Sequence, residues 1–157
     1  METREDLLKQ LNETITQLVH VYQNMADSEM EVYEGWTARY VLGHITFWHE
    51  SFARNVLDIV NDVKPNPLKG TYRDLNRRCF DEIRTQTIED IIMRLEAAHK
   101  VIQEDILSTK LKSIPYKKGS RDYFPEEHLD IVNAHIKDHL SDILKVNKKN
   151  TQTFQSV

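Results

Sequence analysis

Apolar residues recur at steps of three and four along most of this chain, a spacing that predicts amphipathic helices. The first such pattern covers residues 4–26, and the second covers residues 37–64. A third covers about residues 86–109, and a fourth begins at residue 125. The apolar stripes are Leu8, Leu11, Ile15, Leu18, Tyr22 and Met25; Val41, Ile45, Trp48, Phe52, Val56, Ile59 and Val63; Ile88, Ile92, Leu95, Ile102 and Ile106; and Leu129, Val132, Ile136, Leu140 and Ile143. We therefore predict four long helices.

Residues that begin or end helices lie at the edges of these patterns. Thr37 has the side chain of an N-cap for the second helix, and Thr87 followed by Asp90 resembles a capping box for the third. Pro125 suits the first position of the fourth helix, since proline lacks only an N–H that would be unpaired there. Pro65 ends the second pattern for the same lack of a donor.

The connections between the patterns differ in length. Residues 27–36 are polar and break the helical pattern, and no segment of the chain shows the alternation of a strand. Residues 65–85 form a connection of about twenty residues, in which residues 71–84 are predicted to be a short helix. A connection of that length is longer than an antiparallel helix pair needs, so it suits a crossover between two parallel helices.

These elements predict an all-α protein, a four-helix bundle with a long crossover between helices two and three. The bundle occupies residues 1–147 as one domain, and a polar, frayed tail follows at residues 148–157. Formal net charge is −4, which gives no reason to expect nucleic-acid binding. We find no apolar run of the roughly 18–20 residues that a membrane span needs and no signal-peptide core. A single cysteine fits a cytoplasmic location.

Three of the seven histidines lie on the fourth predicted helix. His135 and His139 are four residues apart, so both rings can reach one point, whereas His128 lies two turns earlier. Two neutral imidazoles suit zinc or nickel, with manganese or iron as alternatives, and a third ligand is needed from elsewhere. His44 and His49 lie on opposite borders of the apolar stripe of helix two, so either is a candidate.

The evidence for other catalytic or metal-binding residues in this sequence is weaker. His99 lies on the inward stripe of helix three and is predicted to be a hydrogen-bonded core histidine. Glu96 and His99 have the Glu-x-x-His spacing of di-iron bundles, but the second copy that such a site needs is missing from the sequence. Cys79 is predicted to be a half-buried structural residue, and His20 a solvated surface residue.

A resemblance to a known family enters at these histidines. The segment TrpThrAlaArgTyrValLeuGlyHis, residues 36–44, together with the His135 and His139 pair, resembles the signature of the DinB/YfiT-like superfamily. The resemblance covers about residues 5–147 and extends to DfsB-like proteins and mycothiol-dependent maleylpyruvate isomerases. It implies a four-helix bundle with parallel middle helices and a metal held by His44, His135 and His139. His49 remains the alternative to His44 if helix two is rotated.

Aromatic and further histidine residues surround the predicted ligands. Trp36, Phe47, Trp48 and Phe52 lie on helix two or just before it, where core packing is the first expectation and pocket walls the second. Trp48, His49, His128 and His99 are the pocket candidates. Asp138 and Asp142 lie close enough in sequence to accept hydrogen bonds from the imidazoles.

The function expected from this site is divalent-metal chemistry on a small-molecule substrate. A bound metal lowers the pKa of water or of a thiol and so supplies a nucleophile. Thiol transfer with a low-molecular-weight thiol, which the resemblance implies, and metal-assisted hydrolysis, with a protective role, both fit. The alternatives are a non-enzymatic binding or resistance protein and a purely structural domain. A homodimer is an expectation from the resemblance alone.

Overall fold

The structure is a computed structural model that describes residues 2–155, with side chains described through residue 149. Within that range the chain forms five helices and one two-stranded antiparallel sheet. In chain order these are α1 Arg4–Gln23, β1 Glu31–Tyr33, β2 Trp36–Thr37, α2 Ala38–Val60, α3 Tyr72–Ile83, α4 Ile88–Asp105 and α5 Pro125–Gln155. The predicted helical class is confirmed. No helix in the described range is long and apolar enough to cross a membrane.

The predicted helix starts agree with the structure. The Thr37 side chain accepts a hydrogen bond from the backbone N–H of Tyr40 at 3.2 Å, as an N-cap does. Thr87 and Asp90 form a reciprocal capping box, with both hydrogen bonds at 3.1 Å. The predicted short helix in the long connection is α3, which begins after Thr71.

The polar break before α2 contains a small hairpin that the sequence analysis did not predict. Glu31 pairs with Thr37 and Tyr33 with Trp36, and Gly35 in the turn has φ +79°. Strands of three and two residues are too short to show a clear alternation of polar and apolar positions. This hairpin matters because it brings Tyr33 and Trp36 to the candidate site described below.

Three helix ends also differ from prediction. Val63 lies beyond the end of α2 and is 54% exposed, so its assignment to the apolar stripe was wrong. Helix α4 ends at Asp105, a turn earlier than predicted. Helix α5 continues to Gln155, so residues 148–155 are helical rather than a frayed tail. Neither proline nor glycine occurs after Pro125, and the pattern therefore has no residue that breaks a helix.

Helices α2 and α4 run parallel, as predicted from the long connection between them. Arg39 at the start of α2 donates a hydrogen bond to the backbone carbonyl of Ile83, just before α4, at 2.8 Å. Glu50 in the middle of α2 pairs with Arg94 in the middle of α4 at 2.6 Å. Both pairs advance in the same direction along the two helices, which requires the connection and α3 to return the chain to the starting end.

Helix α5 lies beside α1 and faces α2. Arg4 pairs with Glu126 at 3.0 Å, and the Thr14 hydroxyl donates to the Asn133 side-chain oxygen at 2.6 Å, so α1 and α5 run parallel. The core between the long helices is built from fully buried aliphatic side chains, including Leu11, Leu18, Leu42, Ile91, Leu95, Ile102, Leu129 and Ile143. The arrangement brings the early part of α2 against the first half of α5, where His135 and His139 lie.

Candidate metal centre

Three histidines from two helices meet at one point of the structure. His44 on α2 and His135 and His139 on α5 each offer a ring nitrogen, and these three atoms lie within 4.8 Å of one another. The Nε2 atoms of His135 and His139 are 2.9 Å apart. The His44 ring centroid lies 5.8 Å from that of His135 and 5.3 Å from that of His139. The structure thus brings together the three residues that the family resemblance implied as metal ligands.

Hydrogen bonds to the opposite ring nitrogens orient two of these imidazoles. The Nδ1 of His44 lies 3.1 Å from the side-chain oxygen of Asn76 on α3, an atom that only accepts. The Nδ1 of His139 lies 3.0 Å from the hydroxyl of Tyr33, which itself donates to Asp142 at 2.6 Å. Both Nδ1 atoms therefore carry the proton, and both Nε2 lone pairs are free to bind a metal.

The geometry of the trio fits a divalent metal. Metal–nitrogen bonds of about 2.0–2.1 Å place two tetrahedral nitrogen ligands about 3.3 Å apart and two adjacent octahedral ones about 3.0 Å apart. The observed separations, from 2.9 Å up to a limit of 4.8 Å, lie close enough that small ring rotations reach either geometry. Three imidazoles leave at least one coordination position for another ligand, as catalytic sites do.

Burial keeps the imidazoles of His44 and His139 neutral, which metal binding requires. Burial, with the neighbouring His139 and His135 rings, lowers the pKa of His44 to about 4. Burial, with the neighbouring His135 ring, lowers the pKa of His139 to about 4. The pKa of His135 is also lowered by burial, against the opposing effect of Asp138.

One side of the trio is open. His44 is buried and His139 is half-buried, but His135 is exposed. The exposed side gives a route by which a metal and a small ligand can reach the nitrogens.

Two cavities adjoin the trio. A chamber of about 30 Å³ is lined by His44, Ile45, Trp48, His49, Tyr116, Ile131, Val132, His135 and Ile136. A larger pocket of about 280 Å³ is lined by Tyr72, Tyr116, Tyr123, His128, Ile131 and His135. The two share Tyr116, Ile131 and His135, so they meet at the edge of the metal centre.

The four predicted pocket residues occupy different places. Trp48 and His49 line the chamber, and His128 lines the larger pocket. His128 is 2% exposed and stacks on Phe52 at 4.0 Å, so it is a buried residue of the pocket wall. His99 lies in the core, as predicted, bonded to His49 at 3.0 Å. Because His49 is directed to His99, the third histidine beside His135 and His139 is His44 and not His49.

The other predicted residues near the site also have defined positions. Trp36 packs its edge against His44 at 5.2 Å, and Trp48 stacks on Tyr116 at 5.2 Å, whereas Phe47 belongs to a separate cluster with Cys79. Cys79 is 1% exposed rather than half-buried. Burial raises the pKa of its thiol to about 12, which leaves it an unreactive core residue.

Sequence reasoning missed several residues of this site. Asn76 and Tyr33, which hold the rings of His44 and His139, come from α3 and the hairpin, where no motif marked them. Asp142 was predicted to bond an imidazole and acts instead through Tyr33. Burial and this hydrogen bond raise the pKa of Tyr33, which keeps its hydroxyl protonated. The tyrosines of the larger pocket were also missed, since Tyr72 begins α3 and Tyr116 and Tyr123 lie in the connection between α4 and α5, all distant in sequence from the histidine pair.

Comparisons with known proteins bear on the fold and not on the chemistry. Neither the family models nor the curated proteins gave a match to this sequence. The crystal structure of an uncharacterized protein from Clostridium difficile 630 is similar, with a TM-score of 0.72 and 15% sequence identity. The similarity covers 94% of this chain and 97% of that chain, so the two share a fold over nearly their whole lengths.

Proposed function

We propose that this chain is a DinB-like four-helix bundle that binds one divalent metal through His44, His135 and His139 and uses it on a small-molecule substrate. The observation that supports the proposal most is that Asn76 and Tyr33 accept hydrogen bonds from the Nδ1–H groups of His44 and His139. That arrangement leaves an unprotonated Nε2 on each of these two rings. The ligand nitrogens of the three histidines lie within 4.8 Å of one another. Solvated surface histidines have no need of such partners.

The bundle assignment has two kinds of support. The segment at residues 36–44 and the histidine pair at residues 135 and 139 resemble the motifs of the DinB-like superfamily in their order along the chain. The parallel course of α2 and α4 is the arrangement that this resemblance implies. The homodimer is part of the same proposal, and sedimentation equilibrium tests it.

The reaction we propose is thiol transfer or hydrolysis. A divalent metal held by His44, His135 and His139 would keep its positive charge, because the imidazoles are neutral ligands, and would act as a Lewis acid that lowers the pKa of water or of a thiol. Zinc and nickel suit the nitrogen ligands best. The residues of the chain orient the imidazoles, and the aromatic walls of the chamber limit the water beside them.

The larger pocket suits the body of a small organic substrate. Its volume of about 280 Å³ is close to the lower end of ordinary ligand sites. Three tyrosine rings and Ile131 provide flat apolar walls, and the hydroxyls of the tyrosines provide polar contacts. Because His135 lines this pocket as well as the chamber, a substrate bound there lies next to the metal centre.

Metal content tests the proposal directly. We expect about one equivalent of zinc or nickel in the tag-free protein, measured by mass spectrometry, because three oriented imidazoles form one site. His44→Ala and His139→Ala should lose it, since two ligands hold a metal much more weakly than three. His20→Ala is the matched control, because His20 is an exposed histidine of α1.

The opposite result would remove the metalloenzyme proposal. If the wild-type protein is metal-free and takes up no zinc, nickel, manganese or iron on titration, the trio is not a metal site. Non-enzymatic binding of a small molecule is then the remaining candidate, and the tyrosine-lined pocket favours it. A metal-free protein that binds planar aromatic compounds in this pocket would support that second function.

A further inference from the structure

A chain of hydrogen bonds leads from the chamber through the core to α1. The Nε2 of His49 lies 3.0 Å from the Nδ1 of His99. The Nε2 of His99 lies 2.7 Å from the side-chain oxygen of Asn12, which also accepts from Gln103 at 3.1 Å. His49 and His99 are 2% and 5% exposed, so this chain is buried.

The chain determines which nitrogen of each ring carries the proton. The Asn12 oxygen only accepts, so the Nε2 of His99 must donate and carries the hydrogen. A neutral imidazole has one N–H, which leaves the Nδ1 of His99 as an acceptor. The Nε2 of His49 must then donate to it. The Nδ1 of His49 is consequently left as a bare lone pair.

That lone pair has no hydrogen-bond partner among the described residues. A buried acceptor without a partner costs roughly 1–3 kcal/mol, so proteins seldom keep one without a use. The two nitrogens of an imidazole point to opposite sides of the ring, and Nε2 points to His99 in the core. His49 lines the chamber, together with His44 and His135 of the metal centre.

The chamber has the size of a reacting group and not of a whole substrate. A volume of about 30 Å³ holds one or two waters, or a hydroxyl or thiol group at the end of a larger molecule. The adjoining pocket of about 280 Å³ has room for the remainder of such a molecule. His49, His44 and His135 all line the chamber, so a group in it lies beside the His49 side chain and the histidines of the metal centre.

We propose that His49 is the general base of this site, accepting the proton of an O–H or S–H group held in the chamber. The proton passes to Nδ1, so that His49 becomes an imidazolium with both nitrogens protonated. The electron pair of the broken O–H or S–H bond stays on the oxygen or sulfur, which becomes the nucleophile. His99 and Asn12 are positioning residues, since they select the tautomer that leaves Nδ1 bare.

The role of His49 as a base rests on the proposed function, whereas its tautomer does not. Nitrogen-15 NMR on the metal-free protein measures that tautomer, because protonated and bare imidazole nitrogens have well-separated shifts. We expect a protonated Nε2 and a bare Nδ1 on both His49 and His99, assigned with His49→Gln and His99→Gln samples. A proton on the Nδ1 of His49 would overturn the proposal.

Two substitutions test whether His49 acts as a base or serves only as a packed residue of the core. The amide of His49→Gln reaches the place of Nε2 and keeps the bond to His99, but it has no atom in the place of Nδ1. The amide of His49→Asn does the reverse, with a polar atom near Nδ1 and no reach to His99. Thermal unfolding of both variants shows whether each folds, and their metal content should equal that of the wild type.

Ethanethiol is the probe for the zinc-loaded protein, and dimethyl sulfide, which lacks an S–H, is its control. We expect His49→Gln to weaken ethanethiol binding about tenfold or more, which corresponds to one lost hydrogen bond to the probe. His49→Asn should restore part of that loss, and dimethyl sulfide binding should change in neither variant. Equal ethanethiol affinity for wild type and His49→Gln would overturn the proposal.

Zinc binding and the NMR measurement of the tautomer together distinguish failure of this inference from failure of the proposed function. A wild-type protein that binds no zinc would overturn the metalloenzyme proposal, and the base with it. A protein that binds zinc but has a protonated Nδ1 on His49 would overturn the base alone. Zinc binding with the expected tautomer and the expected loss in His49→Gln would support both.

Discussion

At the scale of single residues, the site depends on the hydrogen-bond partners of the imidazoles as much as on the imidazoles themselves. His139 is held by Tyr33, a residue of a three-residue strand that is distant in sequence. His44 is held by Asn76, which the short helix α3 presents to it. These partners select the tautomer and the ring orientation, which are the properties that decide whether a histidine binds metal.

Removing the hydroxyl of Tyr33 should weaken metal binding without removing a ligand. We expect Tyr33→Phe to lower zinc affinity about 10- to 100-fold, because the Nδ1 proton of His139 loses its acceptor. Competition with a chelator of known affinity measures the change. Tyr40→Phe, which alters a ring stacked on Phe80, is the matched control and should bind zinc as the wild type does. Equal affinity in Tyr33→Phe would show that this hydroxyl has no part in the site.

At the scale of secondary-structure elements, the position of His44 follows from the packing of α2 on the segment that precedes α4. Gly43 permits that packing, since a Cβ at this position would lie 2.2 Å from the Cδ1 of Ile83. Ile83 is fully buried, so it has little room to move away. A glycine inside a helix lowers helix stability, and here the close contact explains its presence.

Gly43→Ala should therefore destabilise the protein, although alanine is the better helix former. We expect the free energy of unfolding to fall by about 1–3 kcal/mol from overpacking, measured by urea denaturation. The same change made in an Ile83→Ala background should cost much less, because the clashing methyl group is gone. If Gly43→Ala lowers the free energy of unfolding equally in both backgrounds, the contact with Ile83 is not the cause of the destabilisation.

At the scale of the whole molecule, four of the described histidines are buried, namely His44, His49, His99 and His128. Burial lowers the pKa of His49 to about 3 and that of His99 and His128 to about 4. His128 has neither ring nitrogen paired among the described residues, and it lies against Phe52. These groups are neutral in the folded protein and take up protons in the unfolded chain near an ordinary pKa of about 6.5.

Acid should consequently unfold this protein. Because the folded-state pKa is lowered, the unfolded chain binds more protons between about pH 6.5 and 4, and stability falls as pH falls through that window. Urea denaturation across this range measures the slope for the metal-free protein. His128→Phe should reduce the slope, since one buried group that titrates is removed. Parallel profiles for wild type and His128→Phe would contradict this account.

The sequence by itself determined the long helices, most of their starts and the pairing of His135 with His139. These features follow from local rules, namely helical periodicity, capping residues and the four-residue spacing of neighbours on a helix. The long connection also indicated that α2 and α4 are parallel. The choice between His44 and His49 stayed open at that level, because a stripe gives the rotation of a helix only to within one side chain.

Only the tertiary structure decided the rest of the site. The rotation of α2 placed His44 beside the pair on α5 and turned His49 towards His99. The hairpin brought Tyr33 to His139, and α3 brought Asn76 to His44. The tautomers of His44, His139 and His49 follow from these contacts between residues far apart in the chain. Such contacts depend on how whole elements pack, and no local pattern encodes them.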